Sequence, residues 1–349
     1  MNYRTLGRTG QKVSEIGHGT WTMGSMWGPR DDKAALDSLV RSLELGVTFI
    51  DTAWVYGDGH SEELIAKALK EFGFGNLTAS KASERGRLHP ALPVEGATRA
   101  PLIATKCPPK NFGWPARHHV PVEETFPPEH VVNYTEKSLK NLRMDCVDLQ
   151  QLHVWSDNWL EKPIWLEAVE KLKKQGKIRY FGVSINDHEP DSALKIVASG
   201  LIDSVQVIYN IFDQTPEEKL FPLCQKHNVA VIARVPFDEG SLTGLLTPET
   251  QFHKGDWRQK YFTPDRLKET CTHVEKLKVL IRGEIKTLSQ AALKFCLSQA
   301  AVSTVIPGMR TVAHVEENSK ASDGLLLTEQ ERTELKNHAW PRNFYPTYG

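Results

Sequence analysis

Short apolar runs rich in Val, Ile and Phe recur along this chain, separated by longer segments of helical periodicity. The runs occupy residues 15–20, 48–51, 102–106, 147–153, 180–184, 204–209, 229–235 and 303–307. Most are too short to be helices and read as strands. Over 34–45, Leu36, Leu39, Val40 and Leu43 fall on one helical face and Gly46 supplies a stop. After the second run, Ser61 is expected to cap a helix with Glu62 and Glu63 in its first turn and Ile65, Ala68, Leu69 and Phe72 facing inward. Further helices are expected over 131–142, 165–175, 191–199, 216–227 and 288–300.

Strand followed by helix, repeated eight times, predicts a parallel α/β fold, and eight units closing on themselves give a (β/α)8 TIM barrel. The competing open sheet would carry a Gly-x-Gly-x-x-Gly turn after its first strand. Gly17-His18-Gly19 begins that pattern, but Thr22 stands at the third glycine. Tyr3–Leu6 and 12–14 flank Gly7-Arg8-Thr9-Gly10, which predicts an N-terminal β-hairpin plugging the barrel floor. The 349 residues then read as one domain, 1–349, enlarged by long loops. Segments 107–128 and 236–264 follow strands and so belong on the C-terminal face, where barrel active sites are built. Segment 73–101 follows a helix and is expected on the opposite face.

Lys and Arg total 43 and so do Asp and Glu, a balance that argues against a nucleic-acid partner. No run of 18 apolar residues suggests a membrane span, and the polar first ten residues have no leader-like core. The five cysteines include no Cys-x-x-Cys pair, so neither a disulfide framework nor a cysteine zinc site is expected, and a reducing cytoplasm is the expected compartment. The 13 histidines include no His-Glu-x-x-His, and no metal is expected.

Strand ends carry an unusual polar set. Asp51 ends the second run and Tyr56 lies five residues on; Lys106 ends the third and His153 the fourth. On a barrel these ends converge at one mouth. The combination suits proton donation to a carbonyl: a phenol near pKa 10 is a weak acid at neutral pH, and a nearby ammonium lowers that value. Asp51 would keep Lys106 cationic and oriented, and His153 would hydrogen-bond the substrate oxygen.

With these residues in view, the chain resembles the aldo-keto reductase superfamily. The resemblance runs from Leu6-Gly7-Arg8-Thr9-Gly10 to Glu317-Asn318. It is carried by Phe49-Ile50-Asp51-Thr52-Ala53, Tyr56-Gly57, Ser61-Glu62, Ala104-Thr105-Lys106, Asp148-Leu149 with His153, and Gly182-Val183-Ser184 in order. It implies a barrel reductase that binds NADP(H) extended, without a Rossmann domain, and acts on a small carbonyl or alcohol substrate. Asp51, Tyr56, Lys106 and His153 match its catalytic tetrad, with Tyr56 as proton donor. Ser184, Asn186 and Gln206 match groups that hold the nicotinamide carboxamide. Tyr209 matches the aromatic stacked on the ring; taken alone, it reads equally as a packing residue of the rim.

Residues 235–244 stand where the family wraps the pyrophosphate, which implicates Pro236, Gly240 and Leu242. Val235-Pro236-Phe237 replaces the common Ser-Pro-Leu, and Glu239 adds an acid. In Ile306-Pro307-Gly308-Met309-Arg310, the resemblance places Gly308 at the cofactor and Arg310 on the adenosine 2′-phosphate, hence NADP(H) over NAD(H). His314 stands where Gln is common, and Glu317 and Asn318 match the adenine contacts. Trp21, Trp27, Trp54, Trp114 and Trp155 lie in strand-end loops, and at least two are expected to face substrate, the others packing the rim. An alternative reading is a redox-sensing regulatory subunit that binds cofactor with little turnover.

Overall fold

The computed structural model describes residues 1–24, 26–74 and 100–346. The expected placement of 73–101 falls almost wholly outside the described residues. Two short strands, β1 (Tyr3–Thr5) and β2 (Lys12–Ser14), pair antiparallel. Eight more form one parallel sheet in chain order: β3 (His18–Gly19), β4 (Phe49–Asp51), β5 (Leu102–Cys107), β6 (Val147–Leu152), β7 (Ile178–Ser184), β8 (Ser204–Ile208), β9 (Ala230–Arg234) and β10 (Val302–Val305). The ends meet: Ile16 bridges Val305, Gly19 bridges Gly308, and the Gly17 amide donates to the Val305 carbonyl at 2.8 Å. The sheet is therefore closed into the expected (β/α)8 barrel.

That seam explains the glycine pair that mimicked a nucleotide fingerprint. A Cβ on Gly19 would lie 2.7 Å from the Ile306 carbonyl oxygen, so backbone alone fits where the last strand meets the first. At the floor, Leu6 and Val13 of the hairpin are fully buried with Phe49, Leu149, Ala230 and Ile232, which line the barrel interior. Gly7, at φ +47°, has room for no side chain: its Cβ would sit 2.5 Å from the Ala230 nitrogen.

Helices cover the outside. Asp31 caps Asp32–Glu44 by accepting from the Ala34 amide, and Ala35, Leu39 and Leu43 turn inward. The helix after β4 runs His60–Glu71, and here Ser61 does not cap: Gly59 holds that position, at φ +96°. The Ser61 hydroxyl instead joins Thr52 and Thr20 at 2.9 and 2.7 Å, locking the turn that carries Tyr56. Pro128–Leu142, Trp165–Lys174, Leu194–Ser199, Leu220–His227, Leu288–Leu297 and Val312–Ser319 follow the remaining strands. Alternate strand residues, among them Val183, Val205, Val207, Val231 and Ala233, pack outward against these helices.

Candidate active site

Each strand shows its inner face every second residue. Ala104 is inside, so Lys106 is too; Leu149 leads to Gln151, and Ala230 and Ile232 lead to Arg234. The C-terminal rim thus collects polar groups that the apolar layer below shields from water. The fully buried Lys106 Nζ donates to Asp51 Oδ2 at 2.6 Å, to the Thr52 carbonyl at 2.8 Å and to the Tyr56 hydroxyl at 3.3 Å. Gln206 Nε2 donates to the other Asp51 oxygen at 2.7 Å. The His153 ring lies edge-on to Tyr56, centroids 5.8 Å apart, and edge-on to Trp114 at the same separation. Four side chains from three strand ends and one turn are therefore brought together as expected.

The electrostatics differ from expectation at the phenol. Burial raises the Tyr56 pKa; Lys106 and Arg234 pull it down, and burial wins, so the group stays protonated. Burial also opposes charge on Lys106, but Asp51 and Tyr56 outweigh it and the ammonium is retained. His153 is pushed well below the usual imidazole range by burial, with Lys106 and Arg234 adding to it; the ring is neutral.

Between the starts of the helices Asp32–Glu44 and Val312–Ser319, a cavity of about 210 Å³ is lined by Thr22, Arg30, Asp31, Asp32, Arg310, Thr311 and His314. Arg310 is braced by donation to the Trp27 and Pro29 carbonyls at 2.8 and 2.9 Å. The guanidiniums of Arg30 and Arg310 and the start of the helix Val312–Ser319 suit an anion, while the carboxylates there are engaged, Asp31 by the Ala34 amide and Asp32 by His60. Gly308 stands at the seam beside Thr22, which a Cβ would approach to 2.9 Å. Glu317 accepts from the Thr287 hydroxyl at 2.5 Å, and Asn318 is buried.

The aldo/keto reductase family profile matches residues 15–339. The chain belongs to the aldo/keto reductase family. It is similar to an aldo-keto reductase [NADP(+)] of Schizosaccharomyces pombe, 27% identical over 314 residues that cover 88% of this chain and 83% of the relative. It is also similar to the NADH-specific methylglyoxal reductase of Escherichia coli (strain K12), 25% identical over 346 residues, covering 96% and 97%. Among solved structures, the holo form of an aldo-keto reductase from Bacillus halodurans superimposes with a TM-score of 0.69 at 27% identity, covering 97% of this chain and 96% of that one.

Within this aldo/keto reductase, two expected site residues, Tyr209 and Trp155, stand elsewhere. Tyr209 is buried away from the mouth: its ring packs on Phe221 and Phe295 and its hydroxyl donates to Glu217 at 2.5 Å. It shares the outward parity of Val205 and Val207, opposite to that of Gln206. Asn186 spends its amide on the Ala116 backbone, at 2.8 and 3.0 Å, and on Glu189, tying down the loop after β5. Trp155 is fully buried against Trp159 and Trp165 in the helical layer. Trp54 packs edge-on to Tyr134, and Trp21 and Trp27 cluster with Trp257. Ser184 ends β7 on the inner face.

The loop after β9 is closed down. Pro236 leads into a turn where Gly240 sits at φ +99° and Leu242 is buried. Asp238 and Glu239 are buried too, and the C-terminal segment covers them. Arg342 pairs with Asp238, the Tyr345 hydroxyl donates to Glu239, and the Tyr345 ring stacks on Trp257 at 5.5 Å. Burial pushes the Glu239 carboxyl up to about 8, so the acid that looked hostile to a pyrophosphate is largely uncharged at neutral pH. Arg234 and Trp257 were not singled out from the sequence. Period two along Ala230-Val231-Ile232-Ala233-Arg234 is the signal for the first.

Proposed function

We propose that this protein reduces an aldehyde or ketone to the alcohol with NADPH, and carries out the reverse oxidation by the same route. The observation that carries this reading is Lys106 Nζ placed between the Asp51 carboxylate and the hydroxyl of a protonated Tyr56, with a neutral imidazole beside them. Bound nicotinamide would supply the hydride to the carbonyl carbon. As the C=O pair moves onto oxygen, Tyr56 donates its hydroxyl proton there, leaving a phenolate. Lys106 stabilises that phenolate, and Asp51 and Gln206 keep Lys106 in place. His153 donates a ring N–H to the same oxygen and orients it. Burial keeps competing water from the ammonium and makes its charge count for more.

Arg310 with Arg30 and His314 would take a 2′-phosphate, which favours NADP(H). One relative is named for NADP(+) and another as NADH-specific, so the test uses both cofactors. Trp114 beside His153 suits an apolar or sugar-like substrate face. The five free thiols, four of them buried, accord with a reducing compartment such as the cytoplasm.

The test is cofactor oxidation against a panel of aldehydes, ketones and sugars, with NADPH and with NADH. Turnover is expected, stronger with NADPH. Tyr56→Phe should abolish it while NADPH still binds; wild-type turnover in that variant refutes the mechanism. Tight NADPH binding with no turnover across the panel would favour the regulatory reading.

A further inference from the structure

With Tyr209 turned outward, the surface that the nicotinamide would rest against needs another occupant. Arg234 has the right parity and level: it continues the inward series Ala230, Ile232 and pairs with Ile208 at the end of β8. Its guanidinium does not stay on β9. Nη2 donates to the Ile185 carbonyl at 2.9 Å and to Asp187 at 2.7 Å, both beyond the end of β7. The side chain therefore arches over the end of β8, the strand between, above Gln206. Its Nε has no partner among the described residues. Across the mouth, its positive charge is felt at Tyr56 and at His153. At Glu239 and Tyr345 both charges of the pair are felt, Asp187 and Arg234 acting in opposite directions. The cation is the member of the pair that acts on Tyr56 and His153.

Hydride transfer needs the ring within contact distance of a carbonyl held by Tyr56 and His153. A ring so placed would have beside it the guanidinium that arches over the end of β8. Arginine stacks on planar rings, so a guanidinium can serve where an aromatic would. The reduced ring is neutral and the oxidised ring carries a positive charge, so a fixed cation treats them differently. We propose that Arg234 is the nicotinamide-facing group of this site and selects between oxidation states, holding the neutral reduced ring in preference to the cationic oxidised one. This inference rests on the cofactor reading above.

The experiment measures equilibrium dissociation constants for NADPH and NADP+ by calorimetry, independently of turnover. Wild type should bind NADPH tighter by about tenfold or more, equivalent to about 1.4 kcal/mol. Arg234→Met should bring the ratio toward one. Arg234→Lys, which keeps the charge, should retain most of the preference. Asp187→Asn, which leaves the cation uncompensated, should widen it. An unchanged ratio in Arg234→Met, or equal weakening of both forms, overturns the inference while leaving the cofactor reading intact. Failure of wild type to bind either form overturns both.

Discussion

Glu239 gives the sharpest test of how the cover over the site is built. It is 3% exposed, holds a left-handed backbone at φ +56°, and accepts from the Tyr345 hydroxyl. Burial raises its carboxyl from 4.5 to about 8, with Asp238 and Asp187 adding to the rise and Tyr345 and Arg234 opposing it. Below pH 4.5 the group is neutral in folded and unfolded chains and costs nothing. As the pH climbs, the unfolded chain ionises freely and the folded one does not, so stability is lost until the pH passes about 8. That rise, at about 1.4 kcal/mol for each pH unit, sets a ceiling of about 5 kcal/mol. Glu239→Gln removes the titration and keeps an acceptor for Tyr345. Urea unfolding of both proteins, followed by tryptophan fluorescence from pH 4.5 to 9, isolates this group because the other titrations cancel in the difference. The variant should gain on wild type by several kcal/mol across that window and then run parallel to it. A difference independent of pH would refute the burial argument.

Two further substitutions separate placement from role. Arg310→Ala should raise the NADPH dissociation constant with little effect on NADH, a loss of about 2 kcal/mol for charge-assisted bonds; binding titrations with both cofactors check it, and equal losses would assign Arg310 to bracing Trp27 and Pro29. Trp155→Ala should destabilise the fold by about 3–5 kcal/mol in denaturant titration while KM stays near wild type, because the ring lies in the helical layer.

The barrel was legible because its two periods, near two and near 3.6, are written throughout the chain, and strand ends then follow to within a few residues. The tetrad was legible for the same reason: Asp51, Lys106 and His153 mark strand ends, and convergence is a property of the barrel. Tyr209 shows where order along the chain falls short. Three residues beyond Gln206, it has the opposite parity, and period two alone sends it outward. Asn186 and Trp155 lie just past strand ends, where that period lapses and loop packing decides direction. The raised pKa of Tyr56 was not legible, since it depends on how closely its surroundings pack around the phenol. Those surroundings come from residues distant in sequence, as does the neutralisation of Glu239.

The aromatic contact above the mouth joins Trp21, Trp257 and Tyr345, and so spans nearly the whole chain. Neighbouring barrel strands pair in the order they are synthesised, and most of the sheet can grow on the ribosome as it emerges. The cover cannot: Trp257 waits for Tyr345, which is made 88 residues later. A nascent chain therefore carries an assembled rim with an uncovered mouth until the segment around Tyr345 has been made, so the rim and its cover are completed as separate events.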